Sequence, residues 1–193
     1  MTLGSLSFAS NQIAITIESI SFMPGWGFAI ACTSLTGYCI GEKNYAKAKT
    51  YINYTIFLAA AVMGFFSLVF LIFPEKLISL FTKSGETEVI TLGAACLMLA
   101  SIEQIPIAIS MVLGGALKGT GDSETPFKIV LFTNWVIRLP LVYYFIYLRR
   151  SPITYFWKIT ALQWIIEAII IYIAFQYKWK KYYSVTALKK TTS

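Results

Sequence analysis

The chain has 193 residues, of which 57% are apolar and 13% are charged, and its formal net charge is +7. This apolar share is far above that of a water-soluble domain, so the composition excludes a soluble protein and predicts an all-α integral membrane protein. The sequence contains no His, which excludes a His-based triad and, with only three scattered cysteines, leaves no ligand set for a structural metal. The sequence also lacks the common motifs of a catalytic nucleophile, so we expect that the protein is not an enzyme.

Five hydrophobic stretches are long enough to cross the membrane as helices, which takes about 20 residues for about 30 Å of hydrocarbon. The predicted helices cover residues 8–40, 51–73, 89–117, 127–148 and 155–177. They form a transmembrane bundle over residues 1–180, followed by a basic cytoplasmic tail over residues 181–193. Pro24, with Gly25 after it, and Pro106 lie inside the first and third helices, where we predict hinges.

The basic residues predict the orientation, because cytoplasmic loops are enriched in Lys and Arg. Ten of them fall on one face of the predicted bundle: Lys43, Lys47, Lys49, Lys118, Lys128, Lys178, Lys180, Lys181, Lys189 and Lys190. Five fall on the other: Lys76, Lys83, Arg149, Arg150 and Lys158. We therefore expect a multi-pass protein of the inner (plasma) membrane with a cytoplasmic C-terminus. Five spans then place the N-terminus outside, which suggests a further helix upstream of Met1.

The C-terminal segment is both basic and aromatic, with the sequence "YKWKKYYSVTALKK". Trp, Tyr and Lys in this mixture are typical of the membrane interface. We therefore expect contact with the lipid bilayer and no nucleic-acid partner.

A mostly small or polar stripe runs along the predicted first helix. Its members recur every three or four residues: Asn11, Ala14, Glu18, Ser21, Gly25, Phe28, Cys32, Leu35 and Cys39. Residues suited to lipid lie on the opposite faces: Ile13, Ile17, Ile20, Met23 and Ile30. We predict that the stripe faces protein or a water-filled cavity.

Glu18 is an acid within this otherwise apolar helix. An unpaired carboxylate in hydrocarbon costs several kcal/mol, so Glu18 must be protonated, lie beside a cation or open onto water. Each of these states responds to protons or cations, which makes Glu18 a candidate for binding a coupling ion. The alternative is a structural hydrogen bond to a neighbouring helix.

Glu103 and Gln104 precede Pro106 in the third helix. A proline frees a backbone carbonyl one turn earlier, so the backbone here is able to act as a ligand or a hinge. Glu103 is therefore the second candidate for ion coupling. A solvated or helix-paired glutamate remains the alternative.

The segment "GGALKGTGDSETP" (residues 114–126) predicts a tight turn between the third and fourth helices. Gly119 and Gly121 permit the turn, and Asp122 or Ser123 caps the helix that follows. Arg138 and Glu167 lie inside the fourth and fifth helices. Arg138 is able to pair with Glu18, Glu103 or Glu167, or to attract an anionic group, and we favour structural ion pairing for both Arg138 and Glu167.

Two separate segments carry a resemblance to a known family. The first is "NQIAITIESISFMPGWGFAIACTSLTGYCIG" with "NYAKAK", and the second is "GALKGTGDSETPFKIVLFTNWVIRLPLVYYF". Both resemble the C-terminal half of the multidrug and toxic compound extrusion (MATE) transporters. The matching positions are Gln12 and Ile13, Ile17 and Glu18, Pro24 and Gly25, Gly37 and Gly41, then Lys118, Gly119, Gly121, Asp122, Trp135, Arg138 and Pro140. Asn11 and Tyr38 depart from the family, which often has His and Gln there.

The resemblance implies a twelve-helix antiporter of two six-helix bundles that exports bulky, often cationic compounds in exchange for sodium ions or protons. This chain would be a partial transporter that supplies helices eight to twelve, most of the second bundle. Its partners would be small organic cations and the missing N-terminal half, with no cofactor other than the coupling ion. Candidate residues of the substrate cavity are Asn11, Gln12, Ser21, Tyr38, Gln104 and Arg138.

Two other functions remain open. A lipid-linked saccharide flippase of the same superfamily should have more basic residues in its cavity than the single mid-span Arg138. A non-transporting scaffold subunit of the membrane should tolerate neutralisation of Glu18.

Overall fold

The computed structural model describes residues 4–82 and 86–190, with side chains for residues 6–82 and 86–181. These residues form an all-α bundle. Its helices are α1 (Gly4–Gly41), α2 (Tyr45–Ile72), α3 (Pro74–Ser79), α4 (Thr87–Gly119), α5 (Glu124–Phe132), α6 (Leu139–Val142) and α7 (Thr154–Lys190). Two π-helical turns, Thr133–Arg138 and Tyr143–Leu148, make α5 and α6 one continuous rod.

Five of these rods are long and apolar enough to cross a membrane, as the sequence predicts. They are Leu6–Gly41, Tyr45–Ile72, Thr87–Gly119, Glu124–Leu148 and Thr154–Lys181. The α2 helix begins six residues earlier than predicted, because the Asn44 side chain accepts a hydrogen bond from the Lys47 amide (3.1 Å) and caps it. At the other end of the chain, α7 continues through the predicted tail as far as Lys190.

The short helix α3 is absent from the sequence-based prediction. It starts at Pro74, which suits the first turn of a helix, and it buries Ile78 while Glu75 and Lys76 stay exposed. Six residues are too few for a hydrophobic period to stand out, which explains why the pattern missed it.

The α4 helix is the centre of the bundle and packs against α1, α2 and α7. Small residues allow its backbone to approach α1 closely. A Cβ atom on Gly115 would overlap the carbonyl oxygen of Ala29, and one on Gly119 would lie 2.5 Å from the carbonyl oxygen of Thr33. The Thr33 hydroxyl also donates to the Gly115 carbonyl (3.0 Å). Gly119 therefore serves helix packing, and the predicted turn depends instead on Gly121, whose φ is +87°.

Contacts at the two ends of the bundle show which segments share a membrane face. At one end, the Trp157 indole donates to the Asn11 amide oxygen (3.1 Å), which joins the start of α7 to α1. At the other end, Lys178 pairs with Asp122 (2.9 Å), which joins the α4–α5 turn to α7. The α1–α2 turn lies at this second end, because Gly37 approaches Gly119 there. The lysines predicted to be cytoplasmic thus cluster at one end of the bundle.

The predicted polar stripe of α1 is largely buried, with Leu35 as an exposed exception (39%). On the opposite faces, Ile20, Met23 and Ile30 are exposed, as predicted for lipid. The prediction for Ile17 is wrong, because it is only 3% exposed and packs in the core. Since α1 packs against both α2 and α4, its buried arc is wider than a single stripe.

Candidate functional site

Two acidic side chains meet inside the membrane-spanning part of the bundle. The carboxyl groups of Glu18 on α1 and Glu103 on α4 are close enough to interact with each other, and we call them the acid pair. Glu103 is fully buried and Glu18 is half-buried. Two ionised carboxylates repel at this range, so the contact requires a shared proton or a cation.

The hydrogen bonding of Glu103 sharpens this requirement. Apart from the Glu18 carboxyl, neither of its two oxygens has a donor among the described residues. An ionised carboxylate offers about four acceptor sites, and burying it without donors is costly. A proton or a cation bound at Glu103 would remove this cost.

Arg138 approaches the acid pair from the fourth span. Its charge acts on both Glu18 and Glu103, although none of the close ion pairs among the described residues includes it. The guanidinium lies over the Phe156 ring, 5.3 Å from the ring centroid. Arg138 is the last residue of the π-helical turn Thr133–Arg138, a type of distortion that often occurs at functional sites.

Ser21 and Gln104 flank the acid pair. The Ser21 hydroxyl lies 2.7 Å from the Glu18 carbonyl oxygen and 3.0 Å from the Gln104 amide oxygen, and the Gln104 amide nitrogen donates to the Ala100 carbonyl (3.3 Å). Both side chains are fully buried in the contact between α1 and α4. They connect the two helices that carry the acids.

The other candidate cavity residues lie elsewhere. Asn11 binds the Trp157 indole near the start of α1, and Gln12 is exposed. Tyr38 is about 30 Å along α1 from Glu18, beside Lys47, whose ammonium is 5.5 Å from the Tyr38 ring centroid. The structure thus groups Ser21, Gln104 and Arg138 with the two acids, and separates the remaining three candidates from them.

Pro24 and Pro106 both lie inside continuous helices, within two turns of Glu18 and Glu103 respectively. Gly25 has a packing role, because a Cβ atom there would lie 2.7 Å from the Met63 sulfur and 3.1 Å from the Met111 sulfur. A hinge at these three residues stays a prediction.

Glu167 forms a second buried site with different partners. It is 2% exposed on α7. One carboxylate oxygen accepts a hydrogen bond from Ser110 (2.8 Å), and the other accepts from Thr133 (2.7 Å) and Gln163 (2.8 Å). Glu167 takes part in none of the close ion pairs among the described residues, so the structural ion pairing favoured for it from the sequence is wrong. Glu167 and Arg138 interact with different groups. Thr133, the first residue of the π-helical turn, donates to Glu167, whereas the charge of Arg138, its last residue, acts on the acid pair.

Glu167 also lines a cavity of about 600 Å³ between α1, α4, α5 and α7, which we call the Glu167 cavity. Its walls include Trp26, Met111, Phe127 and Trp164, and Lys118 lies at the end of α4. None of the six candidate cavity residues lines it. Sequence position alone did not reveal this cavity, because its walls come from four separate helices.

Two acids outside the spans have ordinary ionic surroundings. Partial burial raises the pKa of Asp122, but hydrogen bonds from Thr125 and the nearby Lys178 ammonium outweigh it and hold this pKa below its usual value. Asp122, and not Ser123, is thus the residue that caps the fourth span. The pKa of Glu42 is also lowered, first by a hydrogen bond from Tyr38 and then by Lys47. Within residues 4–82 and 86–190, no cluster of three His, Cys, Asp or Glu side chains is able to hold a metal.

Comparison with known proteins identifies the family. The MatE family profile matches residues 1–144. The probable multidrug resistance protein NorM of Mannheimia succiniciproducens is 33% identical over 141 residues, which cover 73% of this chain and 30% of that protein. The multidrug resistance protein NorM of Aliivibrio fischeri is 34% identical over 143 residues, which cover 73% of this chain and 30% of that protein.

The fold agrees with these matches. A MATE crystal structure solved in complex with MaL6 superposes with a TM-score of 0.87 at 20% identity, covering 95% of this chain and 41% of that one. The chain therefore spans about a third of the length of its relatives. With its five apolar helices and the match over residues 1–144, the chain belongs to the MATE family of membrane proteins and represents part of a MATE domain.

Proposed function

We propose that this chain is the C-terminal bundle of a multidrug efflux transporter, which exports bulky, often cationic compounds by antiport against sodium ions or protons. The names of the NorM relatives support drug efflux. The observation that carries the coupling role is the contact between Glu18 and Glu103, in which Glu103 has no other donor from the part of the chain that the structure describes. This contact favours uptake of a proton or a monovalent cation.

The acid pair offers a physical means of coupling. With a proton or cation bound, the two carboxyl groups attract each other and hold α1 against α4 at this depth. After release they repel, and Arg138 becomes the nearby compensating charge. A ligand shifts a conformational equilibrium only by its differential affinity for the two states. Ion binding thus favours the state in which the two helices are close.

Alternating access requires two bundles that rock about a central cavity. We propose that the missing N-terminal half is the partner of this chain, that both lie in the inner membrane and that the lysine-rich end is cytoplasmic. Pro24, Gly25 and Pro106 would absorb the movement of α1 and α4. No step of this cycle breaks a covalent bond in the substrate, so the protein acts as a transporter and not as an enzyme.

Dye export in efflux-deficient cells tests this function. Cells that produce the complete transporter should accumulate less cationic dye than cells without it, and Glu103→Gln should remove the difference. Glu88→Gln is the matched control, because Glu88 is an exposed acid on the same helix. Dye export by Glu103→Gln at the wild-type rate would exclude coupling at the acid pair.

Proteoliposomes with an imposed gradient decide the coupling ion. Dye uptake driven by a proton gradient alone, or by a sodium gradient alone, identifies the ion. If neither gradient drives cationic dye, the multidrug function fails. Transport of a lipid-linked saccharide would then favour the flippase function. If the protein transports neither the dye nor the saccharide, the remaining alternative is a non-transporting scaffold subunit.

A further inference from the structure

A group of aromatic and basic side chains joins the end of the fourth span to the start of α7. The Phe145 ring stacks with the Tyr155 ring, with centroids 5.5 Å apart, and lies perpendicular to the Tyr144 ring at 5.2 Å. The Arg149 guanidinium is 5.8 Å from the centroid of the Tyr144 ring, and the Lys158 ammonium is 4.9 Å from that of Tyr155. Such contacts attract a cation to the face of a ring. We call these five residues the aromatic-cation cluster.

The backbone of this connection places a third cation beside the cluster. The Arg149 amide donates to the Tyr144 carbonyl (3.0 Å), and the Ser151 amide donates to the Phe145 carbonyl (3.0 Å). Between these two hydrogen bonds, Arg150 has a φ of +52°, a conformation that residues other than glycine seldom adopt. Arg149 and Arg150 are both exposed. Two adjacent cations thus occupy a turn whose shape is defined by its own hydrogen bonds.

The positive charge of this region is not balanced by close acids. Within residues 6–82 and 86–181, neither Arg149 nor Arg150 nor Lys158 takes part in a close ion pair. The acids at this end of the bundle lie on α3 and at the start of α4. Basic residues are fewer here than at the lysine-rich end, so the usual enrichment of one membrane face does not explain three of them within residues 149–158. An anionic partner would balance their charge.

The surroundings of the cluster favour a lipid as that partner. Most of the fourth span is exposed, and Tyr143, Tyr147 and Leu148 are exposed in its last turns. Tyr and Arg at the end of an apolar span are typical of the level at which lipid headgroups lie. The exposed apolar face of the span therefore leads directly to the cations. A molecule with acyl chains and an anionic headgroup would contact both, whereas a soluble anion would contact the cations alone.

The charge of the cluster also selects among lipids. A choline or ethanolamine headgroup would bring a positive group close to Arg149, Arg150 and Lys158, which repel it. Tyrosine rings are able to attract choline, but those of Tyr144 and Tyr155 already interact with the protein's own cations. A headgroup that has a phosphate and no cationic group avoids this repulsion. Phosphatidylglycerol is such a lipid.

We propose that the aromatic-cation cluster, together with Arg150, binds the headgroup phosphate of an anionic phospholipid in the leaflet opposite the lysine-rich end. Arg149 and Arg150 contact the phosphate, Tyr144 positions the Arg149 guanidinium, and Lys158 adds to the attraction. The acyl chains lie along the exposed face of the fourth span. Lipid binding requires no transport, so this proposal and the proposed function are able to fail independently.

Photocrosslinking with a matched pair of lipids tests the proposal. Phosphatidylglycerol and phosphatidylcholine, each with a diazirine in one acyl chain, are placed in phosphatidylcholine nanodiscs that contain the 193-residue chain. Mass spectrometry of proteolytic fragments then measures the crosslinks within residues 143–158. We expect phosphatidylglycerol to label this segment about fivefold more than phosphatidylcholine, or by a larger factor. Labelling at the lysine-rich end of the same molecules is the internal reference.

Substitutions assign the labelling to the cluster. The double variant Arg149→Gln with Arg150→Gln should remove the preference for phosphatidylglycerol within residues 143–158 and leave labelling at the lysine-rich end unchanged. Lys76→Gln is the control, because it removes an exposed cation at the same end of the bundle, and it should change neither. Tyr144→Leu keeps every charge but removes the ring beside Arg149, and should lower the preference about twofold. Tyr144→Phe keeps the ring and should retain it.

Four results would overturn the proposal. Equal labelling of residues 143–158 by the two lipids would show that the headgroup charge is not recognised. A preference that survives in the double variant would show that the two arginines are not involved. An equal effect of Lys76→Gln would indicate a diffuse attraction to this end of the bundle. Loss of the labelling in the complete transporter would show that the missing half, and not lipid, covers the cluster.

Discussion

The acid pair and the Glu167 site are two buried carboxyl sites in one bundle, and they differ in how the protein treats the charge. Among the described residues, Glu103 has no donor other than the carboxyl of Glu18. Glu167 has three neutral donors. The burial of an acid in a membrane therefore predicts that its charge must be neutralised or its oxygens hydrogen-bonded, but not which of the two occurs. The first arrangement favours the uptake of a proton or cation, whereas the second holds a negative charge in place.

One structural element interacts with both sites. Thr133 begins the π-helical turn and donates to Glu167, while Arg138 ends it and acts on the acid pair. Most of the fourth span is exposed, and it packs mainly against α7. A change at one site is thereby able to reach the other through a single turn of helix.

The two sites should differ most in the free energy of unfolding when Glu167 or Glu103 is replaced by an apolar residue. Glu167→Leu leaves the donors of Ser110, Thr133 and Gln163 without their acceptor, and we expect it to lower the free energy of unfolding by about 2–4 kcal/mol. Denaturant titration of the chain in mixed micelles measures this. A loss well below 1 kcal/mol would show that the three donors find other acceptors.

Glu103→Met should not lower the free energy of unfolding, in contrast to Glu167→Leu. The substitution removes a buried carboxyl group that has no donor besides Glu18 within residues 6–82 and 86–181, so we expect no loss of stability, or a gain of about 1 kcal/mol. The same titration applies, with Glu167→Met as its matched comparison. A destabilisation as large as that of Glu167→Met would mean that the two sites do not differ as described.

Infrared spectroscopy distinguishes the protonation states of the two sites. A carboxyl group that shares a proton has a C=O stretch that an ionised carboxylate lacks. We expect Glu103→Gln to remove such a band and Glu167→Gln to leave it unchanged, because the latter acid has only hydrogen-bond donors around it. A band that disappears in Glu167→Gln would reverse the assignment.

A moderate effect is expected from a single donor of the Glu167 site. Thr133→Val removes one hydrogen bond at nearly constant volume and should cost about 1 kcal/mol. Since it leaves the acid pair untouched, the infrared band of that pair should stay. Ser110→Ala is the matched variant on the opposite oxygen of Glu167.

The smallest effect should come from an acid outside the membrane. The pKa of Asp122 is lower in the folded chain than its ordinary value of 3.8, so its stabilisation is fully present above that value and is lost as the pH falls through the folded pKa. The partner Lys178 is 39% exposed, which limits the pair to about 1 kcal/mol or less. Asp122→Asn should therefore lower stability slightly at pH 7 and not at pH 2. An equal loss at both would indicate that the cap to Thr125, and not the charge, matters.

Much of the fold was predictable because its cause is local. The number and the approximate bounds of the five spans follow from hydropathy and length. Glu18 and Glu103 were identified as unusual because an acid in an apolar helix needs a partner, whatever that partner is. The predicted start of α2 was wrong because the Asn44 cap, and not hydropathy, decides where that helix begins. The six-residue helix α3 is too short for its hydrophobic periodicity to be recognised in the sequence.

The candidate site was less predictable because its contacts join residues far apart in the chain. The rotation of each helix about its axis decides that Ile17 faces protein, that Gly119 packs against Thr33 and that the Arg138 charge acts on Glu18 and Glu103. The three donors of Glu167 come from α4, α7 and a π-helical turn. No periodicity in the sequence contains that information.

The amino-acid sequence by itself determined that this protein is a bundle of five membrane-spanning helices, that acids lie within it and that it resembles the MATE transporters. Hydrophobicity and helix length are properties of consecutive residues, so they are present in the sequence directly. Only the tertiary structure decided that Glu18 meets Glu103, that Glu167 is held by neutral donors and that a cavity opens beside it. These features arise from the packing of separate helices, whose relative rotation no single helix specifies.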